Sequence, residues 1–147
     1  PEEGAVRILD FELSLYDCQP PGLVGIDEAF LASARLDNLL SCHAGLTALL
    51  AADSAQWSLL VCNDHEEVGS TSAVGAQGPL LVDVLNPITG TAAASRRLRE
   101  RSKMLSVDNA HAVHPNFSDR HDEAHGPLLN QGPVVKINRN QRYATSG

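Results

Sequence analysis

Apolar and polar residues alternate through "AVRILDFELSLYDC", Ala5 to Cys18, with Val6, Ile8, Phe11, Leu13 and Leu15 on the apolar positions. A period of two predicts a strand. Two prolines and two glycines in "QPPGLVGIDE" then break the pattern. In "SARLDNLLSCHAGLTALLAAD" the spacing changes: Leu36, Leu39, Leu40, Ala44, Leu46, Leu49 and Leu50 form a helical stripe, which predicts a well-buried helix. The short apolar run "WSLLVC", Trp57 to Cys62, reads as a buried strand. "STSAVGAQGPLLVDVLN" predicts a further helix capped by Ser70, Thr71 or Ser72. "TAAASRRLRERSK" predicts another, basic on one side and solvent-exposed. Met104–Val107 and Val134–Asn138 read as strands, with the polar loop or short helix "NFSDRHDEAHGP" between them. The resulting order, β, α, β, α, α, β, β, predicts an α/β fold with a layered sheet rather than an all-β fold.

A chain of 147 residues is enough for one domain of ordinary size. At 43% hydrophobic and 20% charged its composition is that of a globular protein. The net charge of −7 argues against a nucleic-acid or anionic-membrane surface, since both reward a basic patch. No apolar run approaches the ~18 residues of a membrane span, and "PEEGAVRILD" lacks the basic start and apolar block of a signal peptide. The three cysteines, Cys18, Cys42 and Cys62, are odd in number and form no CxxC pair, so they read as free thiols in a reducing compartment. A chain that opens on Pro1 and stops just after an apolar strand is expected to be a piece of a larger protein.

Sites in open α/β sheets lie at the carboxyl ends of strands. Here two predicted strand ends carry acids, in "WSLLVCNDHEE" and "MLSVDN", and Asp37 stands at the start of the first helix. Burying such acids unpaired costs several kcal/mol, of order 2–7 for a polar group and more for a charge; a metal ion removes that cost. The plainer role for a strand-end acid is a cap or loop anchor, which suits Asp108 taken alone. It suits the adjacent Glu66 and Glu67 less well, because two neighbouring acids gain little from capping. A rival chemistry lies in "HDEAH", where His121 and His125 stand at i and i+4 as in the zinc-binding HExxH signature. Asp122 stands where that signature has glutamate, and Pro115 and Pro127 bracket a segment short for a helix, so a surface loop is the stronger expectation.

"SARLDN", "DHEEVGS" followed by "GAQGP", "SVDNAHAVHPN" and "GPVVKINRNQRYA" resemble, in order, four motifs of the aspartyl aminopeptidases, cytosolic dizinc metallopeptidases that remove N-terminal residues. The resemblance runs along almost the whole chain. It implies an α/β fold forming part of a three-layer αβα zinc-peptidase catalytic domain with an incomplete sheet. It implies that residues 1–20 are the tail of an inserted dimerisation domain and residues 21–147 the middle of the catalytic domain. It implies two Zn ions, with Asp37 bridging them, Glu67 and Asp108 as further ligands, and Glu66 as the general base. Lys136 would receive an acidic substrate side chain, and His111 and Tyr143 would line the substrate pocket. The implied partners are peptides with an acidic N-terminal residue, in a cytoplasmic, homo-oligomeric parent enzyme that binds neither nucleic acid nor membrane. The family also uses an N-terminal and a C-terminal histidine that match nothing here. The isolated chain is therefore expected to be an internal fragment, inactive alone; the alternative is a non-catalytic metal-binding or assembly fragment.

Overall fold

A computed structural model of the chain describes residues 7–53 and 55–136. Contacts divide the chain into two compact units, Pro1–Leu36 and Asp37–Gly147. The fold is mixed α/β, with three α-helices and one two-stranded antiparallel sheet among the described residues.

The sheet forms where the prolines and glycines predicted only a break. Strands β1 (Gly22–Val24) and β2 (Phe30–Ala32) pair through Gly22–Ala32, Leu23–Leu31 and Val24–Phe30. The 3-10 turn Ile26–Glu28 joins them. Gly25 enters that turn at φ 88°, a left-handed conformation that glycine adopts freely. A side chain there would also press against the Phe30 ring.

The expected strand over 5–18 is not formed by its described residues, 7–18, which carry no regular structure; Ala5 and Val6 lie outside the described residues. The runs 57–62, 104–107 and 134–136 likewise carry no sheet ladder, and Ile137 and Asn138 lie outside the described residues. An apolar run supplies only half of a strand. The other half is a partner chain segment that takes its backbone N–H and C=O groups, and among the described residues these runs have none.

Helical periodicity fared better, because an α-helix satisfies its backbone from within its own segment. Helix α1 spans Leu36–Ala51, although Asp37 (φ −86°, ψ 111°) and Asn38 (φ −118°, ψ 24°) still have non-helical dihedrals. Its Gly45 packs against the Leu60 side chain. The rest of its stripe is less buried than its pattern predicts, with Leu39, Leu40, Leu46 and Leu50 all exposed. Helix α2 spans Leu80–Thr89, starting some way after the expected serine and threonine caps, with Pro79 at its N-cap position. The delay comes from a tight loop. Gly75 and Gly78 approach the backbone so closely that a Cβ would collide with Ser70 O and Ser72 O respectively. Gly90 ends α2 at φ 72°, and Thr91 then caps α3 (Ala92–Arg101) by accepting the Ala94 N–H at 3.1 Å. Ser95 donates to Asn86 Oδ1 at 3.2 Å, tying α3 to α2. No described helix is long and apolar enough to cross a membrane.

Gly78→Ala should destabilise the full-length protein by about 1–3 kcal/mol, as overpacking typically does, because the obstacle is a backbone carbonyl. Gly45→Ala should cost less, since the Leu60 side chain in its way can turn. Thermal unfolding of both variants checks the ranking, and equal losses would contradict it.

Candidate metal centre

Three acids come from different parts of the chain: the first turn of α1, the turn that begins at Glu66, and an irregular stretch around Asp108. Asp37 enters α1, Glu66 follows the run 57–62, and Asp108 follows the run 104–107. One carboxylate oxygen from each lies within 4.8 Å of the other two. Each pair of full charges at that spacing repels by about 1 kcal/mol even in water-like surroundings, so the chain itself must hold them together.

Two hydrogen bonds do so between Asp37 and Asp108. Asn38 Nδ2 donates to Val107 O at 3.4 Å, and Ser41 Oγ donates to Asn109 Oδ1 at 3.2 Å. The residue after each acid, or one turn beyond it, thus fastens α1 to the 107–109 segment. The Asp37–Asn38 peptide bond is cis. Asp108 is further compensated by local donors: Asn109 N donates to its Oδ1 at 2.8 Å, and Lys136 Nζ donates to its Oδ2 at 3.0 Å. Lys136 Nζ also donates to Asn109 O.

Glu66 reaches the group from a loop closed on itself. Gly69 N donates to Glu66 O at 2.9 Å, Ser70 N to His65 O at 2.9 Å, and Asp64 N to Val74 O at 3.1 Å. Gln77 N donates to the carbonyl of Ser70 at 3.0 Å, and Ser70 is buried.

The electrostatics follow the geometry. Asp108 raises the Glu66 pKa above its ordinary value, with burial, Asp37 and Glu67 adding to the effect and Lys136 opposing it. Burial also pushes Asp108 upward. The Lys136 hydrogen bond, the Asn109 N–H, the Lys136 charge and a hydrogen bond with Asp37 outweigh it, leaving Asp108 below the ordinary aspartate value.

The donor set fits a divalent cation. Carboxylate oxygens bind zinc at about 2.0–2.2 Å, so two oxygens on one ion lie no more than about 4.4 Å apart. A spacing within 4.8 Å is on that scale, and an ion would relieve the group's repulsion. Glu67 is outside this three-carboxylate group, near enough to act on Glu66 only through its charge. His111 is exposed on the segment after Asp108, Lys136 is engaged with Asp108, and Tyr143 lies outside the described residues. No histidine joins the group among the described residues.

The rival "HDEAH" is a turn and not a helix. Asp122 Oδ1 accepts the N–H groups of Ala124 and His125 at 2.9 Å each and pairs with His125 Nδ1 at 2.8 Å. These contacts shape a surface loop and do not put two imidazoles on one helical face.

Asn38, Ser41 and Asn109 escaped the sequence reading as functional residues. One signal did exist: Asp-Asn occurs both at 37–38 and at 108–109, and in each pair the asparagine takes part in holding its acid in place.

A family model described as "Aminopeptidase I zinc metalloprotease (M18)" matches residues 4–147. The chain is 59% identical over 139 residues to a probable M18 family aminopeptidase 2 of Pseudomonas putida, a match covering 95% of this chain and 32% of that relative. A relative of the same description in Azotobacter vinelandii is 57% identical over 145 residues, covering 99% of this chain and 34% of its own length. A chain in the cryo-EM structure of the Ape4 and Nbr1 complex superposes with a TM-score of 0.65 at 35% identity, covering 88% of this chain and 27% of that one. The chain therefore spans about a third of the length of the curated relatives it matches.

Without metal, the raised Glu66 pKa means that the folded state favours the protonated acid. That contribution is fully present below the ordinary glutamate value of 4.5 and is lost as pH rises through the higher folded value. Glu66→Gln should therefore raise the melting temperature of the metal-free protein at neutral pH. The gain should vanish in acid, where Glu66 is already neutral. A gain that is independent of pH would show that charge repulsion is not its cause.

Proposed function

The chain belongs to the M18 aminopeptidase family of zinc metalloproteases, and on that premise we propose that it carries part of a two-zinc site that hydrolyses the first peptide bond of peptides beginning with Asp or Glu. The observation that supports this reading most is the convergence of Asp37, Glu66 and Asp108 within 4.8 Å. Asp37 would bridge the two ions, with Asp108 and Glu67 as further carboxylate ligands. Catalytic zinc normally has three protein ligands and a water. We assign the remaining ligands to parts of the family's chain beyond these residues, and so assign the activity to the whole protein. Zinc, when bound, supplies the positive charge that acidifies water and polarises a carbonyl.

The chain's own residues do the rest. Glu66 is the general base: it takes a proton from the attacking water and returns it to the leaving amine. A raised pKa suits that exchange, since a base works best when its affinity for the proton is near the working pH. Lys136, whose ammonium is half-exposed beside Asp108, would receive the substrate's acidic side chain. His111 and Tyr143 would border the same pocket.

A specific observation favours a second reading of one role. Glu66, and not Glu67, approaches Asp37 and Asp108, so Glu66 could itself be the ligand. Zinc content separates the two. In the full-length enzyme Glu66→Gln should lower turnover by about 10²–10⁴-fold, the usual worth of a general base, and keep its zinc. Loss of zinc from Glu66→Gln but not from Glu67→Gln would make Glu66 the ligand.

Lys136→Met should reduce turnover of aspartyl substrates more than that of leucyl ones. The charge-assisted hydrogen bond it removes is worth ~1.5–3 kcal/mol, roughly ten- to a hundredfold. Equal losses for both substrates would remove Lys136 from the specificity pocket.

A further inference from the structure

We propose that His65 and Ser72 are positioning residues that aim the Glu66 carboxylate at Asp37 and Asp108, an inference that rests on Glu66 being the base. The His65 ring and the Ser72 hydroxyl share a hydrogen bond of 2.7 Å between Nδ1 and Oγ. His65 immediately precedes Glu66, and its backbone is left-handed at φ 60°. Its N–H donates to Asp64 Oδ1 at 2.7 Å, and its carbonyl accepts from Ser70.

A left-handed backbone is unfavourable for a residue with a Cβ, and such strain persists where the surroundings over-determine it. If the turn alone mattered, glycine would serve position 65 at less cost. A histidine there brings a side chain, and that side chain is anchored seven residues away on the far limb of the loop. The anchor fixes the rotation of the chain just before Glu66, while the Gly69–Glu66 hydrogen bond fixes it just after. Glu66 needs such restraint because two like charges push it away. Neither His65 nor Ser72 belongs to the carboxylate group itself. Their effect should therefore fall on the direction of the base and not on metal retention.

The test uses the full-length, zinc-loaded enzyme with Ser72→Ala, Ser72→Thr, His65→Gly and, in parallel, Glu66→Gln. Ser72→Ala and His65→Gly should each lower kcat by about ten- to a hundredfold, the scale of an ångström-sized misplacement. KM, zinc content and the absorption spectrum of the cobalt-substituted enzyme should stay as in the wild type. Ser72→Thr keeps the hydroxyl and should restore kcat. His65→Gly relieves the left-handed strain, so its melting temperature should hold or rise while kcat falls, a divergence that a merely structural residue would not produce. The proposal is overturned if kcat is unchanged in Ser72→Ala or in His65→Gly. It is also overturned if kcat falls only in step with zinc content or melting temperature, or if Ser72→Thr fails to restore it. An active Glu66→Gln would sink the base assignment itself. An inactive Glu66→Gln beside unaffected Ser72→Ala and His65→Gly would sink only the positioning role.

Discussion

Three carboxylates that repel one another are kept within 4.8 Å, and the arrangement of the second unit is best understood from that constraint. The restraints come from three directions. Asn38 and Ser41 tie the start of α1 to residues 107–109. Lys136 and the Asn109 N–H compensate Asp108. The closed loop 64–78 carries Glu66. The acids are not equivalent as a result. Asp108 has donors aimed at both of its oxygens and is stabilised as an anion, whereas Glu66 meets its neighbours mainly as repulsion. A carboxylate held ionised and another inclined to accept a proton are the two behaviours that a ligand and a base require.

Polar contacts contribute much of this organisation within these residues. Among the described residues no large side chain is fully buried, and the leucines of the α1 stripe remain largely exposed. Among the contacts that fix the acid-bearing segments are the Asn38 amide on the Val107 carbonyl, the Ser41–Asn109 hydrogen bond and the glycine turns at 75 and 78. Such contacts contribute about 0.5–1.5 kcal/mol each. They therefore act together.

Lys136 acts on both sides of the imbalance between Asp108 and Glu66: its ammonium donates to Asp108 Oδ2, and its charge opposes the rise of the Glu66 pKa.

The sequence by itself determined that the helices form and which acids are candidates for the site. Helical hydrogen bonds run within a segment, so the stripe at Leu36–Leu50 and the helix over 91–103 could be read locally, and the motifs singled out Asp37, Glu66, Glu67 and Asp108 as candidate site acids. The strands were not legible in the same way, because a ladder depends on a partner distant in sequence. Apolar runs at 57–62 and 104–107 carry no ladder among the described residues, while the glycine-rich stretch at 22–32 does. α2 begins later than its pattern predicts because residues 70–78 close into a loop, in which Gly75 and Gly78 lie against backbone atoms that only the fold brings close. Which of the adjacent Glu66 and Glu67 faces the other acids, and that Lys136 rests on Asp108, were likewise decided in three dimensions. Side-chain direction at such points depends on backbone dihedrals, such as the left-handed His65, that neither composition nor spacing encodes.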